Sequence, residues 1–121
     1  MPCMRITTTL KLDEQQRKQL FDGIGDALEL IPGKDRRGLI IDLEDGKSMF
    51  VGGVQQENFV FIDMRYYLKF EYHIKKRFTV ALFDAIHSVL GTAKECMSMT
   101  ISEYTNWGGF GDFKDEYYTD E

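Results

Sequence analysis

Pro2 is the residue of this 121-residue chain whose type and place suggest chemistry first. It stands directly ahead of a stretch in which Met4, Ile6, Thr8 and Leu10 alternate with Cys3, Arg5, Thr7 and Thr9. That period of two predicts a β-strand with one greasier face. Proline has no amide hydrogen to give a ladder, so its place before a strand is by itself ordinary. Processing would add a second role. An initiator methionine is normally trimmed when a small residue such as proline follows it, and Pro2 would then be a free secondary amine on a rigid strand. An α-amino group has a pKa of about 7.7–8.0, which burial or a nearby cation lowers. A general base works best with a pKa near the operating pH. The chemistry on offer at Pro2 is therefore proton transfer.

Other chemistry-bearing residues offer less. His73 and His87 fall at the start of and within a predicted helix, and neither has partners spaced for a triad or a metal. Cys3 and Cys96 fall in predicted strands without metal-like spacing, and they read as buried thiols in a reducing cytoplasm. The formal charge of −5 argues against nucleic acid or an anionic membrane as the main partner. No apolar run approaches the roughly 20 residues of a membrane span, and the N-terminus lacks the pattern of a signal peptide. A cytoplasmic, single-domain protein is expected.

The elements that must position Pro2 come in two similar halves. After the first strand, Asp13 and Gln16 make a capping-box pattern. Leu20, Phe21, Ile24, Ala27, Leu28 and Ile31 then mark one stripe of a helix, stopped by Pro32-Gly33. Lys34 to Arg37 is a charged connector, and 39–43 reads as a second strand. A turn at 44–47 leads to the short extended piece 48–51, which Gly52-Gly53 breaks. Residues 59–68 form a long strand, 72–90 a second helix ended by Gly91, and 96–104 a last alternating strand. Two strand–helix–strand halves, about 1–57 and 58–113, make one α/β domain, followed by an acidic tail at 114–121.

Two architectures fit this order. One is the split βαβ, ferredoxin-like arrangement. The other sets two βαβ units side by side, with both helices on one face of a four-stranded sheet. The second sheet face is mixed, with Phe59, Phe61, Asp63 and Arg65 on one strand and Ser98, Thr100 and Ser102 on another. A half-apolar open face predicts burial against other copies. Trp107-Gly108-Gly109-Phe110-Gly111-Asp112-Phe113 reads as a loop that lays aromatic rings over a neighbour or a pocket, or as a tail folded on its own core. Residues 115–121 read as disordered.

Met1-Pro2, Gly33-Lys34, Met49-Phe50-Val51-Gly52-Gly53, the duplicated βαβ order and the glycine–aromatic tail together resemble the tautomerase superfamily. The similarity is to the branch of macrophage migration inhibitory factor and phenylpyruvate tautomerase, with carboxymethyl-hydroxymuconate isomerase as a sister family. It runs to about Phe113. The resemblance implies a homotrimer whose sheets wrap a barrel, with active sites at subunit interfaces around the terminal proline. It implies a cofactor-free, metal-free isomerase, with Pro2 moving a proton between carbon and oxygen of a small 2-oxo or enol carboxylate. Lys34 matches the lysine that holds the substrate carboxylate or oxygen, and its charge would depress the Pro2 pKa.

The chain departs from that pattern at the pocket wall. Arg65-Tyr66-Tyr67 stands where relatives have a Ser-Ile-Gly segment whose backbone contacts substrate, and Met97 and Met99 align with a tyrosine and an asparagine. Arg65 could supply the missing donors to a carboxylate, or pair with Asp63 as a structural ion pair. Arg36 and Arg37 are further candidates to attract a diacid, or plain loop charges. Trp107, Phe110 and Phe113 are expected at the apolar rim. An alternative function is a catalytically inactive trimer of the same fold acting as an interaction module, which the apolar Met97 and Met99 would favour.

Overall fold

The computed structural model describes residues 2–120. Met1, whose removal the proline chemistry requires, and the last residue of the acidic tail lie outside the described residues. The alternation at the N-terminus forms β1 (Cys3–Thr8), with Met4, Ile6 and Thr8 buried. Asp13 caps α1 (Glu14–Leu28): its carboxylate accepts the Gln16 amide at 2.8 Å, and the Gln16 side chain accepts the Asp13 amide at 3.0 Å. This reciprocal box satisfies two of the donors that a helix start leaves open. The helix ends at Leu28, earlier than the Pro32-Gly33 stop predicted. The amides of Leu30 and Ile31 donate three residues back, to Ala27 and Leu28, so the last turn tightens before proline is reached. Ile31 nonetheless stays buried. A single 3-10 turn over Arg36–Gly38 then leads into β2 (Ile40–Glu44).

The middle of the chain corrects one expectation. Gly52-Gly53 does not end an extended piece but reverses it, joining β3 (Phe50–Val51) to β4 (Val54–Gln55). Both glycines have positive φ, +56° and +80°, as a two-residue hairpin turn of matching twist requires. The second half follows as β5 (Val60–Tyr67), α2 (Tyr72–Leu90) and β6 (Met97–Tyr104). Gly91, in the left-handed conformation, closes α2 through a 2.9 Å bond from its amide to the His87 carbonyl. Cys96 lies in a 3-10 turn ahead of β6 rather than in the strand, and both cysteines are free and only half-buried.

The sheet order is β2-β1-β5-β6, with β1–β2 and β5–β6 parallel and β1–β5 antiparallel. This is the side-by-side arrangement of two βαβ units. Both helices cover one sheet face, where Met4 and Ile6 of β1 and Val60, Ile62 and Met64 of β5 meet the apolar stripes of α1 and α2. The helices come close where Gly23 of α1 faces Ala85 of α2: a Cβ added to the glycine would sit 3.0 Å from the alanine Cβ. Among the described residues the opposite face carries no layer and is mixed: Ile40, Phe61 and Tyr104 are partly exposed there beside charged and hydroxyl side chains. Arg5 pairs with Asp42 at 3.0 Å, Arg65 with Asp63 at 3.0 Å, and Thr100 donates to Asp63 at 3.2 Å.

The tail is a further hairpin, not a loop. β7 (Asn106–Gly109) pairs antiparallel with β8 (Asp112–Asp115), reversing at Phe110 and Gly111, which have φ of +50° and +84°. Residues 115–120 are likewise placed. Glu116 donates its amide to Thr105, and the Asp115 carboxylate accepts the Tyr117 and Tyr118 amides at 2.9 and 3.1 Å. Among the described residues no helix is long and apolar enough to cross a membrane.

Candidate active site at the head of the first strand

Pro2 is buried one residue ahead of the β1 ladder. Its carbonyl accepts the Ile40 amide at 3.0 Å. Cys3 lies opposite Ile40 on β2 and Arg65 on β5, so Pro2 falls beside Leu39 and Tyr66 in the same register. The period of two puts it on the helix side of the sheet with Met4. A proline suits this place, since the ladder asks no donor of it.

Lys34 reaches the same corner from the connector after α1. Its amide donates to Ile31 at 3.1 Å, which fixes the connector's direction. Its ammonium donates to the Tyr67 carbonyl at 2.9 Å and lies 5.4 Å and 5.6 Å from the ring centroids of Tyr66 and Phe70. Burial pushes the Lys34 pKa below that of an ordinary lysine, and the positive charge of Lys114 on β8 pushes the same way. An ammonium has three donors, of which the Tyr67 carbonyl takes one. The arrangement sets a cation with anion-binding capacity over the strand that runs beside Pro2.

A cleft of about 740 Å³ opens beyond the end of β5, lined by Tyr67, Phe113, Lys114 and Tyr118 with Asp112 and Asp115. Phe113 is thus the one rim aromatic of the three expected that lines this cleft. Trp107 packs edge-on against Tyr104 at 5.8 Å, and Phe110 sits at the hairpin tip, 68% exposed. Lys114 was not legible in the sequence because its place depends on the Phe110-Gly111 reversal.

The remaining expected pocket residues have other partners. Met97 is 7% exposed in the core and Met99 packs against it; they pair with Val60 and Ile62, toward the end of β5 away from Tyr66. Arg65 points to the open face and is held by Asp63, the ion-pair alternative. Arg36 is bound by Asp26 and Glu29, and Arg37 by Asp35, whose carboxyl is lowered to about 2 by hydrogen bonds from Arg37. His87 places Nδ1 2.8 Å from the Thr92 carbonyl, a helix-end contact. Tyr66 behaves differently from a lining residue. Its ring is fully buried, burial raises its pKa, and its hydroxyl donates to Glu103 at 2.9 Å. Among the described residues no group of three or more His, Cys, Asp or Glu side chains could hold a metal ion.

No family model matches the chain, and no curated protein matches it in sequence. Solved structures do match in fold. MIF2 from Leishmania major superposes with a TM-score of 0.84 at 18% identity, covering 94% of this chain and 97% of that one. Pt0534, solved after inactivation by 2-oxo-3-pentynoate, has a TM-score of 0.80 at 15% identity, covering 90% and 93%. A fused 4-OT, solved as a symmetric trimer, has a TM-score of 0.75 at 16% identity, covering 84% and 85%. Identities this low carry the architecture and nothing finer, and that architecture, a doubled βαβ with two helices on one face of a four-stranded sheet, is the tautomerase fold.

Proposed function

We propose that the chain is a keto–enol tautomerase or isomerase of a small 2-oxo or enol carboxylate, working as a homotrimer. The observation that carries the reading is the convergence of Pro2 and Lys34 at one corner of the sheet, beside and over Tyr66. With Met1 removed, the Pro2 nitrogen is a secondary amine whose lone pair takes a proton from the carbon next to the substrate carbonyl. The electron pair left on carbon moves to the carbonyl oxygen, and the same proton or one from water completes the enol. Lys34 holds the carboxylate or the developing oxygen anion, where a half-buried cation is worth more than in water. Its charge also favours the neutral form of Pro2, the form a base needs. The inactivation of Pt0534 by a 2-oxo acid and the trimeric state of the fused 4-OT support the substrate class and the assembly.

The test is phenylpyruvate tautomerisation by protein shown by intact mass to lack Met1, with sedimentation giving the assembly. Turnover that disappears in well-folded Pro2→Gly is expected. Turnover that survives this change removes the role given to Pro2, and a monomer in solution counts against the trimer. The interaction-module alternative drew on Met97 and Met99, whose apolar side chains have a packing reason in the core.

A further inference from the structure

Glu103, near the end of β6, faces the helices beside Tyr66, its partner in the β5–β6 register. One of its oxygens, Oε2, accepts two bonds: the Tyr66 hydroxyl at 2.9 Å and the Phe70 amide at 2.8 Å. The other, Oε1, accepts the Lys75 ammonium at 3.1 Å. Tyr66 and Phe70 are the two residues whose rings wall the Lys34 ammonium, and the rings meet edge-on at 5.6 Å and 70°. A single carboxylate oxygen therefore tethers both walls of the lysine's cage. The turn that carries Phe70 is otherwise an awkward one. Leu68 stands at φ +78°, a conformation unfavourable for a branched side chain, and its amide is held by the Tyr104 carbonyl at 2.8 Å. Consecutive residues of β6 thus pin the turn from both ends.

We propose that Glu103 is a positioning residue for Lys34, holding Tyr66 and Phe70 so that the ammonium stays in place and partly shielded from water. This rests on the reading of Lys34 as the substrate anchor. The carboxylate suits the role. Burial alone would raise its pKa, but the bonds from Phe70, Tyr66 and Lys75 outweigh that and keep it ionised well into acid. The charged side chain that acts on Lys34 is Lys114, which belongs to β8, apart from the tether; Glu103 acts through the rings.

The experiment follows Lys34 directly, by NMR titration of 13C-dimethylated lysines in the wild type, Glu103→Ala, Glu103→Gln and Lys75→Met, beside phenylpyruvate kinetics. In Glu103→Ala, water reaches the cage, the Lys34 resonance titrates closer to the ordinary value of 10.5, and KM rises roughly tenfold with a smaller change in kcat. Glu103→Gln keeps an acceptor for both tethers and restores most of the shift. Lys75→Met removes a bond from the same carboxylate without touching the rings, and it leaves the Lys34 titration unchanged. Tyr66→Phe keeps the ring while cutting one tether and gives a smaller upward shift, which decides the matter if Glu103→Ala does not fold. An unmoved Lys34 titration in folded Glu103→Ala or Tyr66→Phe overturns the proposal, as does an equal shift in Lys75→Met. If the wild type shows no turnover while the titrations behave as described, the tautomerase reading fails and the tether stands.

Discussion

The ammonium of Lys34 is bound to the main-chain carbonyl of Tyr67, 2.9 Å away, at the last residue of β5. The cation is thereby fixed to a strand rather than left to the connector that bears it. Its burial has a thermodynamic sign. A lysine whose pKa is lowered by folding opposes folding while it is protonated, fully below its folded pKa, and the opposition fades as pH rises from there toward 10.5. Lys34→Met should therefore keep or raise the melting temperature at pH 7 while kcat/KM falls about a hundredfold, a trade between stability and activity at one residue. Thermal melts and steady-state kinetics on the same preparation check both halves.

The same substitution should move the pH profile. A cation near an amine favours the neutral amine, so removing it raises the Pro2 pKa. The acid limb of kcat/KM, which reports the free base, should then shift to higher pH in Lys34→Met. A limb that stays put would place the titrating group elsewhere.

Glu103 gives a prediction of opposite sign. Its folded-state pKa lies below its ordinary 4.5, so its contribution to stability is present above pH 4.5 and is lost as pH falls through the lower value. Glu103→Gln should cost about 2 kcal/mol at pH 7, in keeping with hydrogen bonds to a charged group. Urea melts repeated at decreasing pH should show the gap between wild type and variant closing below pH 4.5.

Arg65 and Gly23 test the placement of elements. Arg65 is paired with Asp63 on the face away from Pro2, so Arg65→Ala should change KM for a monocarboxylate less than about twofold. Gly23 has Ala85 where a side chain would go, so Gly23→Leu should destabilise the fold by about 1–3 kcal/mol through overpacking. Kinetics settle the first and chemical denaturation the second.

The duplicated strand–helix–strand order was legible because each element carries its own local signal: the Asp13–Gln16 box, the alternation from Val60 to Tyr66, and Gly91 after the second helix. The two hairpins were missed for a shared reason. A glycine pair or a Phe-Gly pair can end a strand or reverse it, and the partner strand, two or four residues long, is too short to announce itself. At the candidate site, Pro2 and Lys34 were singled out through motif and resemblance. Phe70, Glu103 and Lys114 were not, because a carboxylate on a polar-looking strand end and a lysine in an acidic tail carry no sign of what they will meet. Met97 and Met99, named through alignment, lie on the core side that their alternation with Ser98 and Thr100 gives them.

The two βαβ units give the sheet two comparable corners, and the chain uses them unequally. At the head of β1, Pro2 lies next to Leu39; at the head of β5, Val60 lies next to Met97, both buried. Val60 is joined to Phe59 by an ordinary peptide bond, so no amine can arise there however the N-terminus is processed. Doubling the unit did not double the proline, nor the role proposed for it. One corner of each chain is left free to be filled with hydrocarbon, and a circular permutant opened ahead of residue 60 would expose the second corner while burying the first in mid-chain.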